Sequence, residues 1–171
     1  MRDIQYISTG EVKVGQGDIV LQSTPIGSCI VIMAWHRESR LGGMAHIMLP
    51  GSAPKTEPLP TKYALNAIEK LCDLMDVHQS LISIGVYVVG GANVLKKPND
   101  TICLANIQSV MSLLSKLEIP IRRSVLGGFE RRTASLDTQN GLMQCTQGNS
   151  SCKILWNSDD MVSSSPIPVF L

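Results

Sequence analysis

GSCIVIMAWHRESRLGGMAHIMLP, residues 27–50, is the stretch on which the reading of the chain turns. Two apolar runs, 28–35 and 41–49, flank the polar HRES at 36–39, the pattern of two strands joined by a turn. One thiol, Cys29, and one imidazole, His46, stand out among the apolar and small residues. Closing the turn over Arg37 and Glu38, or over 36–39, sets Trp35 opposite Arg40, and counting outward then puts Cys29 directly opposite His46. Directly opposed residues in an antiparallel pair have Cβ atoms about 4.5–5.5 Å apart, close enough for a thiol and an imidazole to exchange a proton.

That juxtaposition points to nucleophilic catalysis. A free thiol, with a pKa of about 8.5, is mostly protonated at neutral pH and becomes a strong nucleophile when a histidine takes its proton. An orienting hydroxyl for the imidazole is expected from Ser23 or Thr24, and an oxyanion hole from the backbone amides of Gly27, Ser28 and Cys29. Gly27, Gly42 and Gly43 allow close approach of backbone or substrate. Met44 and Met48, on the face of His46, either line an apolar approach to the thiol or fill the core. The plainer alternative is a buried core cysteine beside a satisfied core histidine.

The rest of the chain sets the frame. At 171 residues it suits one domain. With 15 basic and 14 acidic residues scattered evenly, and a net charge of +1, it carries no basic stripe of the kind that tracks nucleic acid. There is no apolar run of the roughly 18 residues a membrane span needs and no signal-peptide core, so a cytoplasmic protein without membrane insertion is expected. The five cysteines form no C-x-x-C pair, and the histidines, His36, His46 and His78, show no zinc spacing. Free thiols and no metal site are expected.

EVKV (11–14), DIVLQS (18–23) and the two runs above read as strands. A Pro-rich loop leads to Thr61, an expected N-cap for a helix whose buried face carries Ala64, Ile68, Leu71 and Met75. LISIGVYVVGGANVL (81–95) reads as a strand covered on both faces. A second helix follows, with Ile107, Val110, Met111, Leu114 and Leu117 on one face, and then strands separated by glycine turns. This order predicts an α/β (α+β) sandwich of mixed or antiparallel sheets with two main helices. Residues 148–171 turn polar and Ser/Pro-rich and read as an extended tail to a domain over 1–147.

TPIGSCIVIMAW, GGMAHIMLP, KYALNAIEKL, VVGGANVL, ICLANIQSVMSLLSKLEIPI and LGGFERRTASLDTQNGLM resemble, in this order and at similar spacing, the successive blocks of the CheD family of chemoreceptor glutamine deamidases. The resemblance implies a cofactor-free enzyme of chemotaxis that hydrolyses selected glutamine side chains of methyl-accepting receptors to glutamate. It also implies a sandwich similar to the catalytic domain of cytotoxic necrotizing factor, and a CheC-type phosphatase as a further partner. The family's nucleophile falls on Cys29, its histidine on His46, and its supporting threonine on Thr24 or, with the loop aligned one residue differently, on Ser23. Gly27, Ser28, Gly43 and Met44 are then expected, with Ser23, to contact substrate. Ser124, Val125 and Arg131 depart from the family pattern, as does Cys103, while Asn106 and Arg132 keep their places. The altered SVLGGFERR block motivates a rival reading, a non-catalytic adaptor that binds a phosphatase or receptor. A third, a Cys-His peptidase or transglutaminase-like enzyme, shares the thioester step and differs in acceptor.

Overall fold

The structure, a computed structural model, describes residues 2–75 and 81–157. His78 and the distal part of the expected tail, 158–171, lie outside the described residues. The elements in chain order are β1 (Asp3–Ile7), β2 (Val12–Gln16), β3 (Ile19–Ser23), β4 (Ile30–His36), β5 (Leu41–Ile47), a 3-10 turn at Pro60–Lys62, α1 (Ala64–Met75), α2 (Leu81–Ile84), β6 (Val86–Gly90), α3 (Thr101–Lys116), β7 (Ile121–Leu126), β8 (Ala134–Asp137), β9 (Met143–Cys145) and β10 (Lys153–Trp156). They form two five-stranded sheets, ordered β2-β5-β4-β6-β7 and β1-β3-β8-β9-β10. Each sheet is mixed: β6 and β7 run parallel in the first, β1 and β3 in the second.

Side-chain alternation along β4 and β5 creates the layers. Ile30, Ile32 and Ala34, with Leu41, Ala45 and Ile47, pack against Ile68 and Leu71 of α1 and Val110 and Leu114 of α3. Val31, Met33 and Met44 face the other way, onto Ile7, Leu21, Leu136 and Met143 of the second sheet. The chain is thus helices on sheet on sheet, the mixed α+β sandwich that the element order predicts. All seven residues of β5 are buried, as expected for a strand covered on both faces.

Paired glycines let β5 lie this close to both neighbours. A Cβ on Gly42 would come 2.8 Å from Leu136 Cδ2 and 2.7 Å from Thr138 Cγ2 in the second sheet. One on Gly43 would come 2.7 Å from both Leu71 Cδ1 and Met75 Sδ of α1. The Gly-Gly pair is therefore a packing device, and Gly43 faces a helix rather than a substrate.

Several expectations change. The β4–β5 hairpin pairs Ile30 with Ile47, Val31 with His46 and Trp35 with Gly42, two residues out of the predicted register. The four-residue turn falls over 37–40, one position beyond the predicted 36–39, with Arg40 in the left-handed region at φ 51°, and this shift accounts for the offset. Thr61 caps no helix: it lies inside the 3-10 turn and its hydroxyl donates to Gly10 O at 2.7 Å. The run from Leu81 begins as the single helical turn α2 and becomes a strand only after Gly85, at φ 76°. The expected tail contributes β10, antiparallel to β9, with Leu155 buried and the Trp156 ring 5.2 Å from that of Trp35. The folded unit therefore runs past residue 147. Among the described residues no helix is long and apolar enough to cross a membrane.

Gly43→Val should lower stability by about 1–3 kcal/mol through overpacking against Leu71 and Met75. Urea unfolding reads the change, and an unaltered midpoint would contradict the close seating of α1 on β5.

Candidate active site

His46 sits on β5 with its side chain in the inter-sheet layer, fully buried. Its Nδ1 lies 3.1 Å from the carbonyl oxygen of Ile7, the last residue of β1, and 3.4 Å from Thr24 Oγ. A carbonyl only accepts, so Nδ1 carries the proton and donates, and Nε2 is left as a bare acceptor. Nε2 is buried and has no hydrogen-bond partner among the described residues. The Ile7 carbonyl also accepts from the Thr24 backbone N–H at 3.1 Å, and the Thr24 hydroxyl lies 3.5 Å from it. One oxygen thus orders both the imidazole and the threonine beside it.

Cys29 immediately precedes β4. Because Val31 faces His46 across the ladder, Cys29 stands diagonally across from the histidine on the same side, and its half-buried side chain packs on the inter-sheet core. Diagonal neighbours in a sheet have Cα atoms about 7–8 Å apart. The two are diagonal rather than directly opposed, which corrects the predicted contact.

The loop carrying the thiol is held by its carbonyls. Gly27 O accepts from Ala92 N at 2.9 Å and Cys29 O from Gly91 N at 2.8 Å. Ser28 O accepts from Asn106 Nδ2 at 2.9 Å. Gly90 makes this fit possible: it has φ 132°, and a Cβ there would come 2.1 Å from Cys29 O. Cys29 opens onto a cleft of about 290 Å³, walled by Gly27 and Ser28, by Leu95 and Lys97 before α3, by Ile102 of α3 and by Arg131.

Burial governs the ionisation of the pair. It pushes the Cys29 thiol above its ordinary value of 9.0, opposed by a hydrogen bond from the Thr9 hydroxyl and by the residue's own backbone N–H. It pulls His46 below 6.5, opposed by the Ile7 carbonyl and the Glu11 carboxylate. Both shifts favour neutral thiol and neutral imidazole at pH 7. The other perturbed thiols are less suited to chemistry. Cys103 is pushed up to about 11 by burial and by Asp100, which accepts its S–H at 3.3 Å, while Cys145 is raised by burial inside the core.

Of the residues singled out from sequence, His46 and Thr24 come together, Cys29 stands diagonally across the ladder from His46, and Gly27 and Ser28 share the cleft wall with the thiol. Ser23 does not join them: it is buried on β3 and its Oγ accepts from Ala134 N at 2.9 Å. Met44 is fully buried core, so it too is removed from the expected substrate contacts. Sequence reasoning missed the Ile7 carbonyl, Thr9 and Glu11, which reach the site from β1 and the turn after it. Gly10 N to His46 O at 2.7 Å and His46 N to Glu11 O at 3.0 Å bind that turn to β5. A backbone carbonyl leaves no mark in a sequence, and β1 has too short a pattern to announce itself.

Residues 48–147 match the family described as CheD chemotactic sensory transduction. A protein from Chlorobium luteolum named "Probable chemoreceptor glutamine deamidase CheD" is 39% identical over 87% of this chain and 75% of its own length. Proteins of the same name from Clostridium botulinum and Methanococcus maripaludis are 37% and 31% identical, over 77% and 81% of this chain and 89% and 96% of their own lengths.

Iodoacetamide alkylation of Cys29, followed site by site in mass spectrometry, should still be accelerating as the pH passes 9.0, because the buried thiol remains largely protonated there. A plateau below about pH 8 would instead reveal a preformed thiolate–imidazolium pair.

Proposed function

This chain belongs to the CheD family, and we propose that it is a protein-glutamine deamidase that converts selected glutamines of methyl-accepting chemoreceptors to glutamate in the cytoplasm. The observation that carries the reading is the buried, neutral His46, its Nδ1–H fixed on Ile7 O and its Nε2 free, on the same side as a thiol that lines an open cleft. The likeness to the cytotoxic necrotizing factor catalytic domain belongs to the same proposal.

In this mechanism a glutamine side chain enters the cleft and Cys29 Sγ attacks the carboxamide carbon while its proton passes to His46 Nε2. Catalytic hydrogen bonds are often long in a free enzyme and tighten in the complex, so the diagonal placement suits this step. The oxyanion is received by the Cys29 backbone N–H, with the Ser28 amide beside it. Collapse expels ammonia, protonated by His46, and leaves a γ-glutamyl thioester. Water then gives its proton to Nε2, attacks the thioester carbon and releases glutamate, and the returning proton restores the thiol. Thr24 keeps the imidazole upright against Ile7 O through this cycle. Each turnover adds one negative charge to a receptor helix.

The adaptor reading, with a CheC-type phosphatase as partner, draws on one observation: the resting thiol is raised rather than lowered. An adaptor binds its partner equally well with Cys29 alkylated, whereas a deamidase loses turnover.

Incubated with a chemoreceptor cytoplasmic fragment, wild-type protein should add about one mass unit at specific glutamines and release ammonia, and folded Cys29→Ala should not. His46→Ala should lower kcat by about 10²–10⁴-fold, and Thr24→Val by a smaller factor. Because burial holds His46 below 6.5 and the base form is required, the acid limb of kcat/KM should have its midpoint below pH 6.5. Full deamidation by folded Cys29→Ala would overturn the assignment.

A further inference from the structure

Asn106 lies on α3, outside the Cys–His pair, and is fully buried. Its Nδ2 group donates twice, to Ser28 O at 2.9 Å and to Met48 O at 3.0 Å. Ser28 is the residue before the thiol, and Met48 stands two residues beyond His46. Both amide protons are therefore spent on the two segments that present Cys29 and His46.

The other half of the amide is unused. Asn106 Oδ1 is buried and has no partner among the described residues. An unsatisfied buried acceptor costs about 1–3 kcal/mol, so a side chain chosen for stability alone would not leave one here. What an asparagine supplies at this position, and an apolar residue of similar volume does not, is a pair of donors at a fixed angle. Removing the amide leaves Ser28 O and Met48 O without these donors, offset in part by the loss of the orphaned acceptor, and takes away the fixed geometry between the two segments.

We propose that Asn106 is a positioning residue, a two-pronged clamp that ties the nucleophile loop to the end of β5 and sets the distance between Cys29 Sγ and His46 Nε2. This rests on the deamidase reading for its kinetic consequence and on geometry alone for the clamp. The first helical turn of α3 also forms a cleft wall through Ile102, so the clamp couples substrate contacts on that helix to the placement of the thiol.

The test compares wild type, Asn106→Leu and Cys29→Ala. Asn106→Leu keeps the side-chain volume, removes both donors and relieves the orphaned acceptor. It should melt below wild type while still folding, lower kcat on the receptor fragment by about 10²-fold and leave KM within about threefold, since misplacement of reacting groups by about 1 Å has that order of effect. The Cys29 titration, read by its alkylation rate against pH, should move toward the ordinary 9.0 as the loosened loop admits water, while Cys145 titrates unchanged. A kcat within about threefold of wild type in folded Asn106→Leu overturns the proposal. If wild type deamidates nothing, the deamidase reading fails separately, and an unmoved Cys29 titration in Asn106→Leu overturns the clamp. If Asn106→Leu does not fold, exchange of the Asn106 side-chain amide protons in wild type decides. Slow exchange supports the clamp, and exchange as fast as at the exposed Asn99 overturns it.

Discussion

A hydrogen bond from His46 Nδ1, on one sheet, to the carbonyl of Ile7, on the other, crosses the largely apolar layer between them, and the site depends on it. A buried imidazole without a partner carries a desolvation penalty of about 1–3 kcal/mol, so the fold must supply one acceptor at this depth. It does so by ending β1 at Ile7, where the carbonyl has no further strand to pair with and instead collects Thr24 N and the imidazole. The choice of Nδ1 as donor is what leaves Nε2 free. Were the proton on the other nitrogen, Nδ1 would meet the Ile7 carbonyl acceptor to acceptor and the Nε2–H would have no partner.

Burial then decides between two electrostatic states of the pair. In water the attraction between thiolate and imidazolium is weak, and in a dry site it is strong, but desolvating two charges works against it. Here burial wins on both partners: it raises the thiol, lowers the imidazole and holds the resting site neutral. Thiolate character, and with it susceptibility to oxidation, is kept low. The hydrogen bond from Thr9 opposes burial without overcoming it.

The layers were legible in the sequence because they follow from periodicity. The faces of α1 and α3 and the buried runs of β4 and β5 all repeat at the period their structure demands. Cys29, His46 and Thr24 stood out in the sequence because their chemistry and spacing resemble a family pattern. Register was not legible, because a four-residue turn over 37–40, with Arg40 in the left-handed region, looks no different in sequence from one centred a residue earlier. Nor was the role of Gly43, since a glycine that admits a helix and one that admits a substrate are the same letter. Residues 153–156 looked like tail because their polar neighbours outnumber Leu155 and Trp156, and the ring partner of Trp156, Trp35, is remote in sequence and in the other sheet.

The state of His46 is the most direct test. Nitrogen-15 chemical shifts of the imidazole at pH 7 should show a protonated Nδ1 and a pyridine-like, unprotonated Nε2, with Thr24→Val broadening or shifting the Nδ1 signal alone. A proton on Nε2, or an imidazolium at that pH, would contradict the account, because no acceptor would then face Cys29.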